Sequence, residues 1–555
     1  MVCRIIIRRT SSLVFLCCWF ACSFPLNVKR KRTRQESPSY YKKMMHDGVA
    51  EQDNNTTNFR LGFVTDVEGN IDFFKDYVSR SNVLDLDESD THDLNLRLKD
   101  NNCYFVFGGD AVDKGPGDIR FCRTLVSLKR RYPKRVFLLV GNRDLNKVRF
   151  TAELSEDDMK RPIDDIPPPH WDIKAPTLRK YLEGLAADAS KSVDQLNTRL
   201  NRLNYMLKHT LGCPKTFEFR REELSILNDV PVSSISDDEV LESMIHEIQS
   251  PEGSLRQYLE NADVVVRIGN TIFCHGAIDR NTMKYVPKFN TPFENPRSKP
   301  PPEKICEDLT EWINCMNRYL QYGLQDYRNR PDWNAARNSR GGESLMALQN
   351  RAAMWGRSIV SNCYGDGGCI TTDYAASLRN ERINIAHDEE ETNPLLFEGI
   401  SSDPMDPEVS DWLLKHGVRR IVVGHKPTGD CPAVLSTSYT GVEIVSADTS
   451  FSDTSANDNR GTAIGNVEIV GKSVYDNHLE VSGVLKDNAV FFSQFSTLGP
   501  NGIVPQTGDY KLGRQLEDGG WWVKAAIPPT LYQLCRGAGR KVEYKTVPVE
   551  HLTFE

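Results

Sequence analysis

Beyond residue 58 the chain alternates short apolar runs of β-type residues with longer polar stretches or stretches of helical periodicity, a rhythm that predicts an α/β protein. The runs span 61–65, 103–107, 136–140, 264–267, 271–274, 420–423 and 442–446, with a Gly269-Asn270 turn between the fourth and fifth. Two long insertions separate them. The first carries Leu196, Leu200, Leu203 and Leu207 at helical spacing, and the second has a helix-like stretch over 309–322. Proline triplets at 167–169 and 300–302 punctuate both insertions, and a Gly-, Asp-, Asn- and Glu-rich stretch over 361–391 reads as a surface loop. Short β-type runs with Gly-rich turns predict a small all-β region near the C-terminus.

The resulting organisation is a basic leading segment 1–58, a core in three parts (59–150, 263–280 and 418–483), a helical insertion 151–262, a second insertion 281–417 and a β-rich region 484–555. No repeat of fixed period is visible. At 555 residues the length leaves room for a large core, and 39% hydrophobic residues with a mean hydropathy of -0.47 exclude a wholly disordered chain. No uninterrupted apolar stretch is long enough for a membrane-spanning helix, so no stable transmembrane anchor is expected.

The net charge of -7 hides a split. Residues 1–46 hold ten Lys or Arg and one acid, which leaves 59 bases against 75 acids in the body. Such a body is a poor nucleic-acid binder, and none is expected as a partner. A densely anionic partner calls for a local positive device such as metal ions. The fourteen cysteines form no CxxC pair and read as thiols, with Cys103 and Cys274 as small buried hydrophobes. At the N-terminus, Arg4, Arg8 and Arg9 precede an apolar run over 13–22, a small-residue cleavage site at 21–23 and a basic stretch over 29–34. That layout fits a signal peptide and secretory entry, or the two-part plastid signal of algae with secondary red plastids. The alternative is a disordered basic tail on a cytoplasmic protein. Two overlapping glycosylation sequons lie at 54–57.

Five of the β-type runs end in chemistry. They lead into Asp66-Val67-Glu68-Gly69-Asn70, Gly109-Asp110-Ala111-Val112-Asp113-Lys114-Gly115, Gly141-Asn142-Arg143-Asp144, His275-Gly276 and Gly424-His425-Lys426-Pro427. In layered α/β proteins the crevice beyond the C-terminal strand ends is where ligands bind. Carboxylates, an amide oxygen and imidazoles together suit hard-to-borderline divalent ions such as Mn, Fe, Zn or Mg. An Asp after a strand is often only a helix cap and a lone His-Gly only a turn. Five in order make coincidence a poor account.

This set resembles the calcineurin-like metallophosphoesterase superfamily, whose pattern is DxH, GDxxD, GNH(D/E), H and GHxH, and it is most similar to the phosphoprotein-phosphatase and dinucleoside-tetraphosphatase branch. The resemblance covers roughly residues 60–150, 262–280 and 418–450. It implies an α/β metallophosphoesterase fold of two packed mixed sheets flanked by helices, with large helical insertions and a small C-terminal β region. It also implies two divalent metal ions, Mn or Mg/Fe: one on Asp110, Asn142, His275 and His425, the other on Asp66, Glu68 and a bridging Asp110. Two such ions generate a bridging hydroxide for in-line attack, with no phosphoenzyme intermediate. Asp113 and Arg143 fall at the catalytic pair, Lys114 stands for a phosphate-binding Arg, and Arg357, in Met354-Trp355-Gly356-Arg357, matches a second phosphate contact. The implied substrate is phosphorylated: a phosphoprotein, a nucleotide or a polyphosphate.

Two positions depart from the pattern. Glu68 replaces the first His ligand, which favours Mn or Mg over Zn. Arg143 replaces the His that protonates the leaving group, and Arg cannot donate a proton near neutral pH. The expectation is an Arg143–Asp113 pair and a preference for good leaving groups. The alternatives are a degraded site, in which Glu68 and Arg143 bind each other and the chain serves as a binding or regulatory module, and an interaction scaffold built on the insertions.

Overall fold

The computed structural model describes residues 59–87, 93–166, 168, 175–278, 282–289, 302–346, 407–429, 431–436, 441–449, 461, 463–484, 490–499, 502–504, 511–512, 516–517, 521–538 and 541–554. The leading segment 1–58, the loop at 361–391 and Arg357 with its Trp355 neighbour lie outside them.

The fold is mixed α/β, with two large mixed sheets flanked by helices. Their strands, in chain order, are β1 (Phe59–Val64), β2 (Cys103–Phe107), β3 (Val136–Leu138), β4 (Val265–Ile268), β5 (Thr271–Cys274), β6 (Arg420–Val423), β7 (Ala433–Ser436), β8 (Glu443–Ser446), β9 (Ile464–Gly471), β10 (Asn477–Val484), β11 (Val490–Gly499) and β12 (Gly502–Val504). One sheet runs β12-β11-β10-β9-β1-β2-β3, the other β7-β8-β6-β5-β4. In the first, β1, β2 and β3 are parallel, and in the second β5, β6 and β8 are. Pairing of β10 with β11 carries the first sheet past residue 484, while Trp522–Ile527, Leu531–Ala538 and Lys541–Pro548 form a separate three-stranded sheet.

Strand alternation decides the layering. Leu61, Phe63 and Val106 of one sheet pack with Phe273, Val422 and Val445 of the other, closing an inter-sheet core. The intervening residues Phe105, Phe107, Ile272, Cys274, Ile421 and Ile444 face a second core, which takes in the helices. Over the first sheet, Phe74 of helix Ile71–Arg80 meets Phe121 of helix Asp118–Arg131, and Phe121 meets Phe107 at 5.2 Å. Elsewhere in that core Trp312 of helix Leu309–Asn329 packs edge-on to Trp412 at 5.6 Å. Fully burying one such aromatic or aliphatic side chain contributes about 1.5–3 kcal/mol, so faces that are apolar on both sides favour a core strand strongly. Cys103 and Cys274 are buried within their strands.

The leucine spacing in the first insertion is realised in two helices rather than one. Val193–Leu196 ends at Asn197, and the Thr198 side chain caps Arg199–Tyr205 by accepting from the Asn201 amide at 3.2 Å. This insertion reaches the loop after β2. Glu223 of helix Thr216–Leu227 accepts from the amides of Ile119 and Arg120 at 3.1 and 3.0 Å, and Thr216 donates to the Asp113 carbonyl. Among the described residues, no helix is long and apolar enough to cross a membrane.

Candidate metal centre

Parallel strands deliver their C-terminal ends to one edge of a sheet, and here that edge carries the polar chemistry. Asp66 and Glu68 follow β1, Asp110 and Asp113 follow β2, Asn142 and Arg143 follow β3, His275 follows β5 and His425 follows β6. The connections are held sharply. Of the nine non-glycine residues with positive φ among those described, five are Asp66 (52°), Glu68 (51°), Asp110 (55°), Asp113 (119°) and His425 (70°). Side chains reach that region at a cost, and its concentration at one place points to a functional constraint. The loops also bond to each other: Asp66 N to Gly109 O at 3.0 Å, Glu68 N to Asp110 O at 3.0 Å and Lys114 N to Glu68 O at 2.7 Å. Glycine is needed where they close up. A Cβ on Gly141 would fall 2.1 Å from Asp110 Oδ1, and one on Gly424 would fall 2.4 Å from Asp66 Oδ2.

Asp110, His275 and His425 bring one ligand atom each within 4.8 Å of one another, the one such group of three among the described residues. Asn142 Oδ1 sits between the imidazoles, 2.8 Å from His425 Nδ1 and 3.3 Å from His275 Nε2, and His275 Nε2 is 3.4 Å from Asp110 Oδ1. Metal–nitrogen and metal–oxygen bonds of about 2.1 Å put neighbouring ligand atoms roughly 3.0–3.4 Å apart, so these four side chains fit a divalent ion. His275 is oriented from behind, its Nδ1 lying 2.8 Å from the Gly108 carbonyl oxygen, which accepts the ring proton and leaves Nε2 facing inward. Burial pushes the His275 imidazole down, but the charges of Asp110 and Asp66 outweigh it and raise it to about 10. Burial and the neighbouring His275 charge push His425 down to about 3. Burial works upward on Asp110, yet His275 and Arg143 hold its carboxyl well below the usual range.

The other half of the cluster is built differently. Glu68, expected to hold a second ion, receives Arg143, whose Nε lies 2.7 Å from Glu68 Oε1 and 3.4 Å from Asp110 Oδ2. Lys114 Nζ is 3.4 Å from the same Glu68 oxygen. The expected Arg143–Asp113 pair exists at 3.4 Å, but Lys147 Nζ lies closer to Asp113 Oδ2, at 2.8 Å. Asp66 Oδ2 accepts from Thr65 Oγ1 at 2.6 Å and from the His425 amide at 2.9 Å. Burial disfavours the charge on Arg143, but Glu68, Asp110 and Asp113 outweigh it and hold the group charged. A dication seated among Asp66, Glu68 and Asp110 would lie against that guanidinium. The residues present do not fit a second ion while Arg143 keeps this position.

No protein-family model and no curated protein matches the sequence. Among solved structures the chain is similar to a cold-active protein-tyrosine phosphatase of a psychrophilic Shewanella species, at 13% identity and a TM-score of 0.33 over 80% of this chain and 81% of that one. It is also similar to a protein serine/threonine phosphatase from Saccharomyces cerevisiae, at 11% identity and a TM-score of 0.27 over 75% and 74%.

Three residues of the site were not singled out from sequence. Asp144, fully buried, accepts from the amides of Asp110, Ala111 and Gly141 at 3.0, 2.8 and 2.8 Å and so ties the β2 loop to the β3 loop. Burial and the Asp110 charge push its carboxyl up to about 7. Lys147 also donates to the Arg143 carbonyl oxygen at 2.9 Å; the four-residue spacing from Arg143 was its signal. Asp448 follows β8, the sixth parallel strand, and is the charged neighbour that most raises the buried Asp66, after burial itself. Reading every strand end rather than five would have found it.

Proposed function

We propose that this protein is a metal-dependent hydrolase of phosphoric esters or anhydrides, related to the calcineurin-like metallophosphoesterases. One observation carries the reading: Asp110, Asn142, His275 and His425, from four different strand ends, converge at ligand spacing beside the cations Lys114 and Arg143. Asp110, Asn142, His275 and His425 would hold a divalent ion, which would supply Lewis-acid polarisation of a phosphoryl oxygen and lower the pKa of bound water. The chain's own residues do the rest. The Gly108 carbonyl fixes His275, and Asp144 locks the two loops that carry Asp110 and Asn142. Arg143 and Lys114 offer positive charge to the remaining phosphoryl oxygens, where preorganised cations stabilise developing negative charge.

Leaving-group chemistry narrows the substrate. Arg143 stays charged and cannot protonate a departing alkoxide, and Lys147 is engaged by Asp113, the Asn146 side chain and the Arg143 carbonyl. Phosphoanhydrides and aryl phosphates, whose leaving groups depart without a proton, are therefore the preferred class, and a dinucleoside polyphosphate is hydrolysed faster than phosphoserine. Lys114 keeps the charge of the family's phosphate-binding Arg without its bidentate fork. The test is hydrolysis of an aryl phosphate by the full chain with and without Mn2+, and by Asp110→Asn. Metal-dependent turnover that Asp110→Asn abolishes supports the reading. No turnover with any divalent ion overturns it.

A further inference from the structure

The cluster at the strand ends has two cation positions that share Asp110. The first is lined by imidazoles and an amide oxygen at ligand spacing. The second already contains a cation, because Arg143 projects from the first turn after β3 and places Nε between Glu68 Oε1 (2.7 Å) and Asp110 Oδ2 (3.4 Å) while Nη1 reaches Asp113 Oδ2 (3.4 Å). Its backbone amide donates to Asp110 Oδ1 at 2.9 Å, so the residue grips Asp110 at both ends.

Charge balance points the same way. Of the four carboxylates in this half, Glu68, Asp110 and Asp113 each have Arg143, Lys114 or Lys147 within 3.4 Å, and Asp66 is the fourth. Glu68 stands where an imidazole ligand would leave the position neutral. A carboxylate there is the matching choice for a guanidinium, since the pairing is charge-assisted and planar. Glu68 and Arg143 thus depart from the family pattern together and meet each other in space. The Arg143 side chain keeps 15% of its surface exposed, against 2% for Glu68 and 0% for Asp113, so within this group it is the accessible member for an incoming oxyanion.

We propose that Arg143 is a built-in replacement for the second metal ion: the site binds one divalent ion per chain, and the guanidinium, seated on Glu68, Asp110 and Asp113, is the second cation that receives the phosphoryl group. The inference rests on the metal-centre reading above and adds to it a stoichiometry and a role for Glu68. It also separates this chain from a retired site, because the Glu68–Arg143 pair is then a working part.

The experiment reads metal binding and needs no turnover. The full-length protein is stripped of metal and saturated with Mn2+; bound metal is counted by elemental analysis, and the Mn2+ electron paramagnetic resonance spectrum is recorded. One ion per chain with the hyperfine pattern of isolated Mn2+ is expected, falling to none in His275→Ala. Arg143→His and Arg143→Gln, which vacate the second position, are each expected to bind two ions and to show the exchange-coupled spectrum of a pair. Two ions in the unaltered protein overturn the proposal while leaving the metal centre standing. One ion in the unaltered protein and still one in both folded Arg143 variants also overturn it, since Arg143 would then not be what excludes the second. No ion in the unaltered protein overturns the metal centre itself. If neither variant folds, the count and spectrum of the unaltered protein still decide between one ion and two.

Discussion

The two halves of the cluster at the strand ends are made of the same kind of loop yet hold positive charge in opposite ways. On the side of the five-stranded sheet, His275 and His425 leave β5 and β6 with their ring nitrogens gathered at Asn142 Oδ1, which reaches them from across the interface. On the side of the seven-stranded sheet, the buried Glu68 and Asp113, in the loops after β1 and β2, meet Arg143, Lys114 and Lys147. A cation bound from solution depends on its concentration and on the protonation of its ligands. A cation attached to the chain depends on neither. What it loses is Lewis acidity, so the two halves are suited to different work: one to activating water, the other to holding charge.

The largest effect should come from unbalancing the halves. His275→Ala, in the ion-binding half, is expected to lower aryl phosphate turnover by more than about 10³-fold, whereas Lys114→Ala, in the fixed half, should cost on the order of 10²-fold, the range for one preorganised electrostatic contact. Steady-state rates at saturating Mn2+ check this, and equal losses would erase the distinction. Next comes the joint between the halves. Asp144→Ala strands three buried amides and is expected to lower unfolding stability by about 3 kcal/mol, read by urea titration. A loss under about 0.5 kcal/mol would mean that the two loops are held by other contacts.

The smallest effect concerns the seam where the sheets' edges meet, at the bridge between Leu139 and Asp263. Burial raises the Asp263 carboxyl from 3.8 to about 6, against the nearby Lys129. The native state therefore holds its proton more tightly than the unfolded chain. That stabilisation is complete below pH 3.8 and is lost as pH rises to about 6. Asp263→Asn should remove this slope and leave the variant more stable at pH 7 by about 1 kcal/mol, allowing for partial solvent screening. Urea midpoints at pH 4 and pH 7 read it; equal shifts at both would show that the charge is not the cause.

Strand positions were legible because runs such as 103–107 and 421–423 are apolar at every position, as strands packed on both faces are. The His275, His425 and Asn142 convergence was legible for a related reason: His275 follows such a run directly, and His425 and Asn142 follow theirs after a single glycine, so the strand end sets where each lies. The C-terminal strands were harder. β9 to β11 pair antiparallel with β1 and one another, and sheet membership is a long-range contact that local pattern does not encode. The break at Asn197 was likewise hidden, because leucines at 196, 200, 203 and 207 suit one helix or two.

By itself the sequence determined which residue types stand after each strand, and hence that oxygen, nitrogen and cationic groups would gather at one sheet edge. It also carried both departures, Glu68 and Arg143, and the pairing of these two as one alternative among several. Only the tertiary structure decided among them. Arg143 has Glu68, Asp110 and Asp113 within 3.4 Å, and a flexible side chain takes the partners that neighbouring loops bring to it. Those partners sit in the loops after β1 and β2, 75 to 30 positions earlier in the chain by residue number, and sheet pairing is what brings them beside the turn after β3.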